Sequence, residues 1–246
     1  MLRTTLQRHH PVPLYQQLAA TLRAQIESGQ FGTHQRLPSE RELANNFHVS
    51  RMTVRQALDA LVRDGLVTGK VGKGTFISEP KINQQLATLT GFSADAEQRH
   101  QRATSRVIKA LVGSATKDIA HALQIEPKAR VFNLVRVRLA NGSPLAIESA
   151  FIPAHLCPDI ITHDFGHESL YQVLQKQYGW QLVRARQSIE ARLASNDELK
   201  LLELKRPAPI LAMERVTLVE QGFPIEYVRS AYRGDRYKFN ALLTPA

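Results

Sequence analysis

Two helix starts stand close together in residues 37–66, LPSERELANNFHVSRMTVRQALDALVRDGL, and they constrain the fold more tightly than any other stretch of the 246-residue chain. Ser39 and Glu42 form an S-x-x-E capping box directly after Pro38, a spacing in which each side chain accepts a bond from the other residue's backbone N–H. The helix it opens can run only about two turns before Asn45, Asn46 and the short link His48-Val49. Ser50 then caps another helix. Val54, Ala57, Leu58, Leu61 and Val62 share one face of it, Arg51, Thr53 and Arg55 lie around its first turn or point away from that face, and Gly65 ends it.

Upstream, Pro13 begins a segment in which Leu14, Leu18, Leu22 and Ile26 recur at helical spacing until Gly29. Downstream, residues 66–78, LVTGKVGKGTFIS, are two short strands about a Gly-Lys turn, a wing whose Lys70, Lys73, Gly72 and Gly74 could approach phosphates or a minor groove. Two helices joined tightly, the second carrying Arg and small hydroxyl side chains at its start, suit the major groove of DNA, where Arg pairs with guanine O6 and N7. The alternatives are an unrelated small bundle or a merely solvated Arg-rich face; the order and spacing together favour DNA. The wing is not a nucleotide-binding loop, because G-x-x-x-x-G-K-[ST] is absent and no strand leads through it into a helix.

Charge agrees without deciding. There are 32 Lys and Arg against 22 Asp and Glu, a net +10 spread over both parts of the chain, which attracts polyanions of several kinds. The single cysteine, Cys157, cannot close an internal disulfide, no apolar run approaches the roughly 20 residues of a membrane span, and MLRTTLQRHHPVP lacks a signal-peptide core. A cytoplasmic protein with no membrane partner is the expectation.

PLYQQLAATLRAQIESGQF, LPSERELANNFHVSRMTVRQALDALVRDGLV and GKGTF together resemble the winged helix-turn-helix of the GntR family of transcription regulators. The resemblance covers nearly all of residues 11–78 and implies DNA contacts from Arg41, Ser50, Arg51, Thr53, Arg55 and Gly72. It also implies a homodimer on a palindromic operator of double-stranded DNA, with recognition helices in successive major grooves about 34–36 Å apart.

Residues 79–90 are polar and aperiodic and read as a linker, so the expected domains are 1–78, a linker 79–90, and 91–246. Beyond the linker, 131–151 form a hairpin turning at Asn141-Gly142, and 210–232 a second turning at Gln221-Gly222. A short helix precedes each, near Lys117–Leu123 and Ser195–Leu202, and another runs from about Ser169 to Tyr178 before the strand-like QLVRARQSIEARL. Asp118, Leu123, Arg136, Val137 and Leu139 recur as Asp197, Leu202, Arg215, Val216 and Leu218; after one insertion Gly142 and Pro144 recur as Gly222 and Pro224. The expectation is α+β, with two equivalent units sharing one antiparallel sheet and a ligand cleft between them. Arg136 and Arg138 point to the same side of their strand and could converge on an anion or merely line a solvated face; the pattern alone leaves this even.

This second part resembles the effector-binding UTRA domain of the HutC branch, a chorismate-lyase-like fold, through TGFSADAEQR, RVRLANGSPLAIESAFIP, SLYQVL and PIEYVRSAYRGDRYKF. The amino-sugar-phosphate-responsive members are the most similar, and they imply a phosphate held at Phe92, Ser93, Arg136, Arg138, Ser169 and Tyr171, with sugar hydroxyl or amino groups at Glu148, Glu226 and Tyr232. The sequence departs from the family at His100-Gln101, where relatives often carry glycine, and this bears on the path of the loop near Phe92 and Ser93.

A repressor controlled by glucosamine 6-phosphate or N-acetylglucosamine 6-phosphate is therefore expected, the alternative being a histidine-utilisation repressor that responds to urocanate. No nucleophile–base pair or cofactor fingerprint stands out, so no catalytic residue and no cofactor is assigned. His155, Cys157, His163 and His167 match no standard zinc spacing, and no metal is assigned either.

Overall fold

The computed structural model describes residues 6–243 apart from 9, 71, 72 and 80. The chain divides into two compact units between Lys81 and Ile82. In the first, α1 (Leu14–Glu27), α2 (Glu40–Phe47) and α3 (Arg51–Arg63) are followed by β1 (Val67–Lys70) and β2 (Gly74–Ile77), an antiparallel pair. The capping box forms at α2: the Ser39 backbone N–H donates to Glu42 Oε2 at 2.8 Å, and the Glu42 N–H to Ser39 Oγ at 3.3 Å. Ser50 caps α3 by accepting from the Thr53 N–H at 3.1 Å. Between the two helices His48 takes a left-handed φ of 54°, so the tight turn is made without glycine. Leu18, Leu22, Leu43, Val54, Leu58 and Leu61 close the core. Val62, placed on the same face by the sequence pattern, is 45% exposed, because one step beyond Leu61 turns it about 100° off the stripe.

The second unit runs β3 (Ile82–Gln85), α4 (Phe92–Gln98), β4 (Ala103–Ser114), α5 (Lys117–Leu123), β5 (Arg130–Ala140), β6 (Ser143–Pro153), α6 (Leu170–Lys176), β7 (Leu182–Leu193), α7 (Asn196–Leu201), β8 (Pro209–Val219), β9 (Pro224–Arg233) and β10 (Tyr237–Asn240). Six of the strands form one antiparallel sheet in the order β4-β5-β6-β9-β8-β7. The internal repeat is now explicit. Strand, helix and hairpin occur twice, and the copies meet at the β6–β9 pair in the middle of the sheet. The first hairpin closes through Asn141 (φ 49°) and Gly142 (φ 79°), the double positive φ of the tightest hairpin turns; the second is wider, with Gly222 at φ 86°.

Side-chain alternation gives the sheet two working faces. On one, Leu170, Val173 and Leu174 of α6 pack on Leu134, Ala150 and Val228, while Phe92 and Ala96 of α4 pack on Ala146, Met213 and Tyr232. On the other, α5 packs on Phe151, Val216 and Tyr227, whose neighbours in sequence face the first side.

Residues 82–85 differ from the expected linker. They form β3, parallel to β10, with Ile82 and Gln84 turned inward. Their polar appearance is misleading because the buried Gln84 amide donates to Asp95 Oδ2 of α4 at 2.6 Å. Gln84→Ala removes a partner from a buried carboxyl and is expected to lower stability by about 1–3 kcal/mol. Gln85→Ala, on the exposed side of the same strand, should change it little; urea unfolding of the full chain that finds the two variants equal would contradict a stabilising Gln84–Asp95 bond.

Candidate functional site

The first unit presents one polar surface at the start of α3. Arg51 and Arg55 are exposed there, and both reach Glu40 of α2, at 3.8 and 3.1 Å. Exposed pairs of this kind are weak and readily exchanged for another anion. Arg41 is exposed on α2. Ser50 and Thr53 are joined at 2.9 Å through their hydroxyls, so the cap fixes both side chains at the mouth of the helix. Met52 is 61% exposed beside them, an apolar side chain suited to a thymine methyl group. Gly72 lies outside the described residues. Neither Glu40 nor Met52 figured among the sequence candidates; the only signal was their position next to Arg41 and Arg51.

In the second unit the nine candidate positions line one cavity. Phe92 and Ser93 begin α4, Arg136 and Arg138 come from β5, Glu148 from β6, Ser169 and Tyr171 from the start of α6, and Glu226 and Tyr232 from β9. The cavity is partly open, and its walls leave about 40 Å³ for the centres of water-sized molecules. Strand alternation aims Arg136 and Arg138 inward together, and they are 2% and 4% exposed. Glu148 stands directly across from Arg136 in the ladder. Its Oε2 accepts from Arg138 Nη1 at 2.9 Å and from Arg136 Nη2 at 3.5 Å, while Oε1 accepts from the Tyr232 hydroxyl at 3.1 Å. Arg138 Nη2 donates to Ser93 Oγ at 2.9 Å, and its guanidinium lies 4.6 Å from the centre of the Phe92 ring.

Two guanidinium groups thus share one carboxylate. Nε and Nη1 of Arg136 and Nε of Arg138 are buried without a hydrogen-bond partner among the described residues. Each unmet buried donor costs about 1–3 kcal/mol, so the cluster is built for an acceptor. Burial, followed by the neighbouring charge of Arg138, pushes Arg136 down to about 9, which leaves it cationic at neutral pH. Burial works to raise Glu148, but the charges of Arg138 and Arg136 and the Tyr232 bond outweigh it and hold the carboxyl below its ordinary value.

A second cluster adjoins the first. Glu226 Oε2 accepts from Thr217 Oγ1 at 2.8 Å and from the Tyr171 hydroxyl at 3.0 Å, and burial raises its pKa. Arg215 donates through Nη1 to the Thr90 carbonyl at 3.1 Å and to Tyr171 at 3.5 Å. Arg215 was not among the candidates, although the repeat already marked it as the counterpart of Arg136. Of the histidine-rich loop, His163 pairs with Glu168, His167 with Asp164, and burial pushes the Cys157 thiol up to about 11.

Comparison with known proteins bears on both clusters. The model "Bacterial regulatory proteins, gntR family" matches residues 14–77, and the "UTRA domain" model matches residues 98–238. The chain belongs to the GntR family. Among its GntR relatives, the "HTH-type transcriptional repressor NagR" of Bacillus subtilis is 38% identical over 95% of this chain and 96% of its own length. A "Histidine utilization repressor" of Pseudomonas putida is 32% identical over 93% and 91%. The crystal structure of PhnF from Mycobacterium smegmatis aligns with a TM-score of 0.67 at 29% identity, covering 93% of this chain and 99% of that one. This GntR chain is a transcriptional repressor of the HutC type, with the DNA-binding helix-turn-helix ahead of a mixed α+β UTRA domain. Among the described residues no helix is long and apolar enough to cross a membrane. His100 takes a left-handed φ of 55°, so the loop after α4 turns there with a side chain in place.

The raised pKa of Glu226 means that the folded state favours its protonated form. That contribution is present below the ordinary glutamate value and fades as pH rises through the raised one. Tyr171→Phe removes a donor that favours ionised Glu226, so the stability it costs should grow as pH rises through the raised value. Urea unfolding over a pH series checks this; a loss that does not change with pH would contradict it.

Proposed function

We propose that this repressor is a homodimer that reads a palindromic operator through Arg41, Arg51 and Arg55 and is controlled by an amino-sugar phosphate held in the UTRA cavity. The observation that carries the second half is the buried Arg136–Arg138 pair, which has one carboxylate between two guanidinium groups and three donor nitrogens without a partner. A phosphate supplies several strong acceptor oxygens and the missing negative charge at once. Ser93, Ser169 and the backbone at Phe92 add neutral contacts, while Glu148, Glu226 and Tyr232 would meet the hydroxyl and amino groups of the sugar. The favoured effectors are glucosamine 6-phosphate and N-acetylglucosamine 6-phosphate, following the similarity to amino-sugar-phosphate-responsive members. Residues 1–78 carry the operator contacts and 91–246 the effector contacts.

The similarity to a histidine-utilisation repressor keeps a second reading in view, in which the Arg pair takes the carboxylate of urocanate. A monocarboxylate leaves more of the donors unmet than a phosphate does, and this favours the sugar phosphate.

Binding must favour one DNA-affinity state of the protein over another for control to follow. With a duplex selected from a random pool as operator, Arg51→Ala should abolish specific DNA binding and leave N-acetylglucosamine 6-phosphate binding intact. Arg136→Ala should do the reverse. Loss of both activities in either variant, with thermal unfolding unchanged, would contradict the division of labour.

A further inference from the structure

We infer that Glu148 is a selectivity gate that keeps bare anions out of the arginine pocket and admits only an anion that brings its own hydrogen-bond donors. This rests on the anion-binding reading of the cavity, which inorganic phosphate and sulfate would otherwise occupy.

Glu148 holds the place on the guanidinium pair that an incoming oxyanion needs. Its Oε2 is shared by Arg138 and Arg136, and the Arg136 contact, at 3.5 Å, is the looser of the two. Among the described residues no other carboxylate forms an ion pair with either arginine. The side chain is 13% exposed and those of the two arginines 3% and 4%, so solvent screens this charge balance poorly. Together the pair and Glu148 carry one net positive charge. A phosphate dianion that bridges both guanidinium groups turns this to one net negative charge. To bridge them it competes with Glu148 Oε2 for Arg138 Nη1 and Arg136 Nη2, and once those bonds are lost Glu148 keeps the Tyr232 hydroxyl alone.

A buried carboxylate stripped of its partners is strongly unfavourable. Inorganic phosphate cannot repair that loss, because as a dianion it has at most one hydrogen to donate, and the arginines face its oxygens. An ester of phosphate with a polyol or amino sugar can: its hydroxyl or ammonium groups reach Glu148 while its phosphate occupies the arginines. The same residue that weakens the site for a bare anion therefore discriminates against the commonest competitor, by an unpaired charge rather than by a clash.

The test is calorimetric titration of the full chain with inorganic phosphate and with sulfate at about pH 8, where phosphate is chiefly the dianion. Glu148→Gln keeps the size and acceptor oxygen of the side chain and removes its charge; it should bind both ions at least about tenfold more tightly than the unaltered protein. N-acetylglucosamine 6-phosphate should lose most of its advantage over inorganic phosphate in the same variant. Unchanged or weaker phosphate binding by folded E148Q would overturn the gate. If E148Q does not fold, Glu148→Asp keeps the charge but shortens its reach to the guanidinium groups. A gain in phosphate affinity then supports the gate, and no gain overturns it. The gate and the sugar-phosphate reading fail separately. If the unaltered protein binds the sugar phosphate but neither variant gains phosphate, the gate is wrong; if the variants gain phosphate but no sugar phosphate binds, the effector class is wrong.

Discussion

Burying two guanidinium groups side by side takes both out of water at several kcal/mol each, and the UTRA half of this protein is organised around that penalty. Arg136 and Arg138 are two residues apart on β5, so the pleat sends them to one face, and the antiparallel neighbour β6 brings Glu148 directly opposite. α4 closes one side with the Phe92 ring and the Ser93 hydroxyl, and α6 closes another with Tyr171. None of these elements neutralises the pair completely. The three unpartnered donor nitrogens are what separate this cluster from an ordinary structural ion pair, which would satisfy its donors internally.

The repeat explains why the cavity has two chemical poles. Each half of the sheet contributes an arginine at the same place, Arg136 in one and Arg215 in the other, but their surroundings have diverged. Arg136 has kept free donors. Arg215 is engaged by Gln187, the Thr90 carbonyl and Tyr171, and it steadies the segment from which α4 begins. In the proposed function one pole binds the effector, and the other holds the wall beside it. The DNA-reading half shows a milder version of the same arrangement, with Glu40 bridging to Arg51 and Arg55 on an exposed surface where a phosphate or a guanine edge can displace it.

Much of this was legible in the residues. The two serine caps, the Asn141-Gly142 turn and the strand alternation at Arg136 and Arg138 are local chemistry, and the structure realises each of them. The strand at 82–85 was not legible, because a Gln that is buried by pairing with a distant Asp reads as a polar linker. Val62 differs for a local reason, its place at the margin of the helical stripe one step beyond Leu61. Arg215 was visible as a repeat position but not as a pocket residue, since its placement depends on contacts with Thr90 and Tyr171 far away in the chain. Gln84 and Arg215 share a cause: the role of each is fixed by partners outside its own segment.

The arginine pair is proposed as a receptor for a phosphate carried on a sugar. The decisive experiment is calorimetric titration of the full chain with N-acetylglucosamine 6-phosphate, glucosamine 6-phosphate, their unphosphorylated forms and urocanate. Saturable binding of at least one phosphorylated sugar, and none of its unphosphorylated counterpart, is expected. Binding of urocanate alone, or equal binding with and without the phosphate, would contradict it.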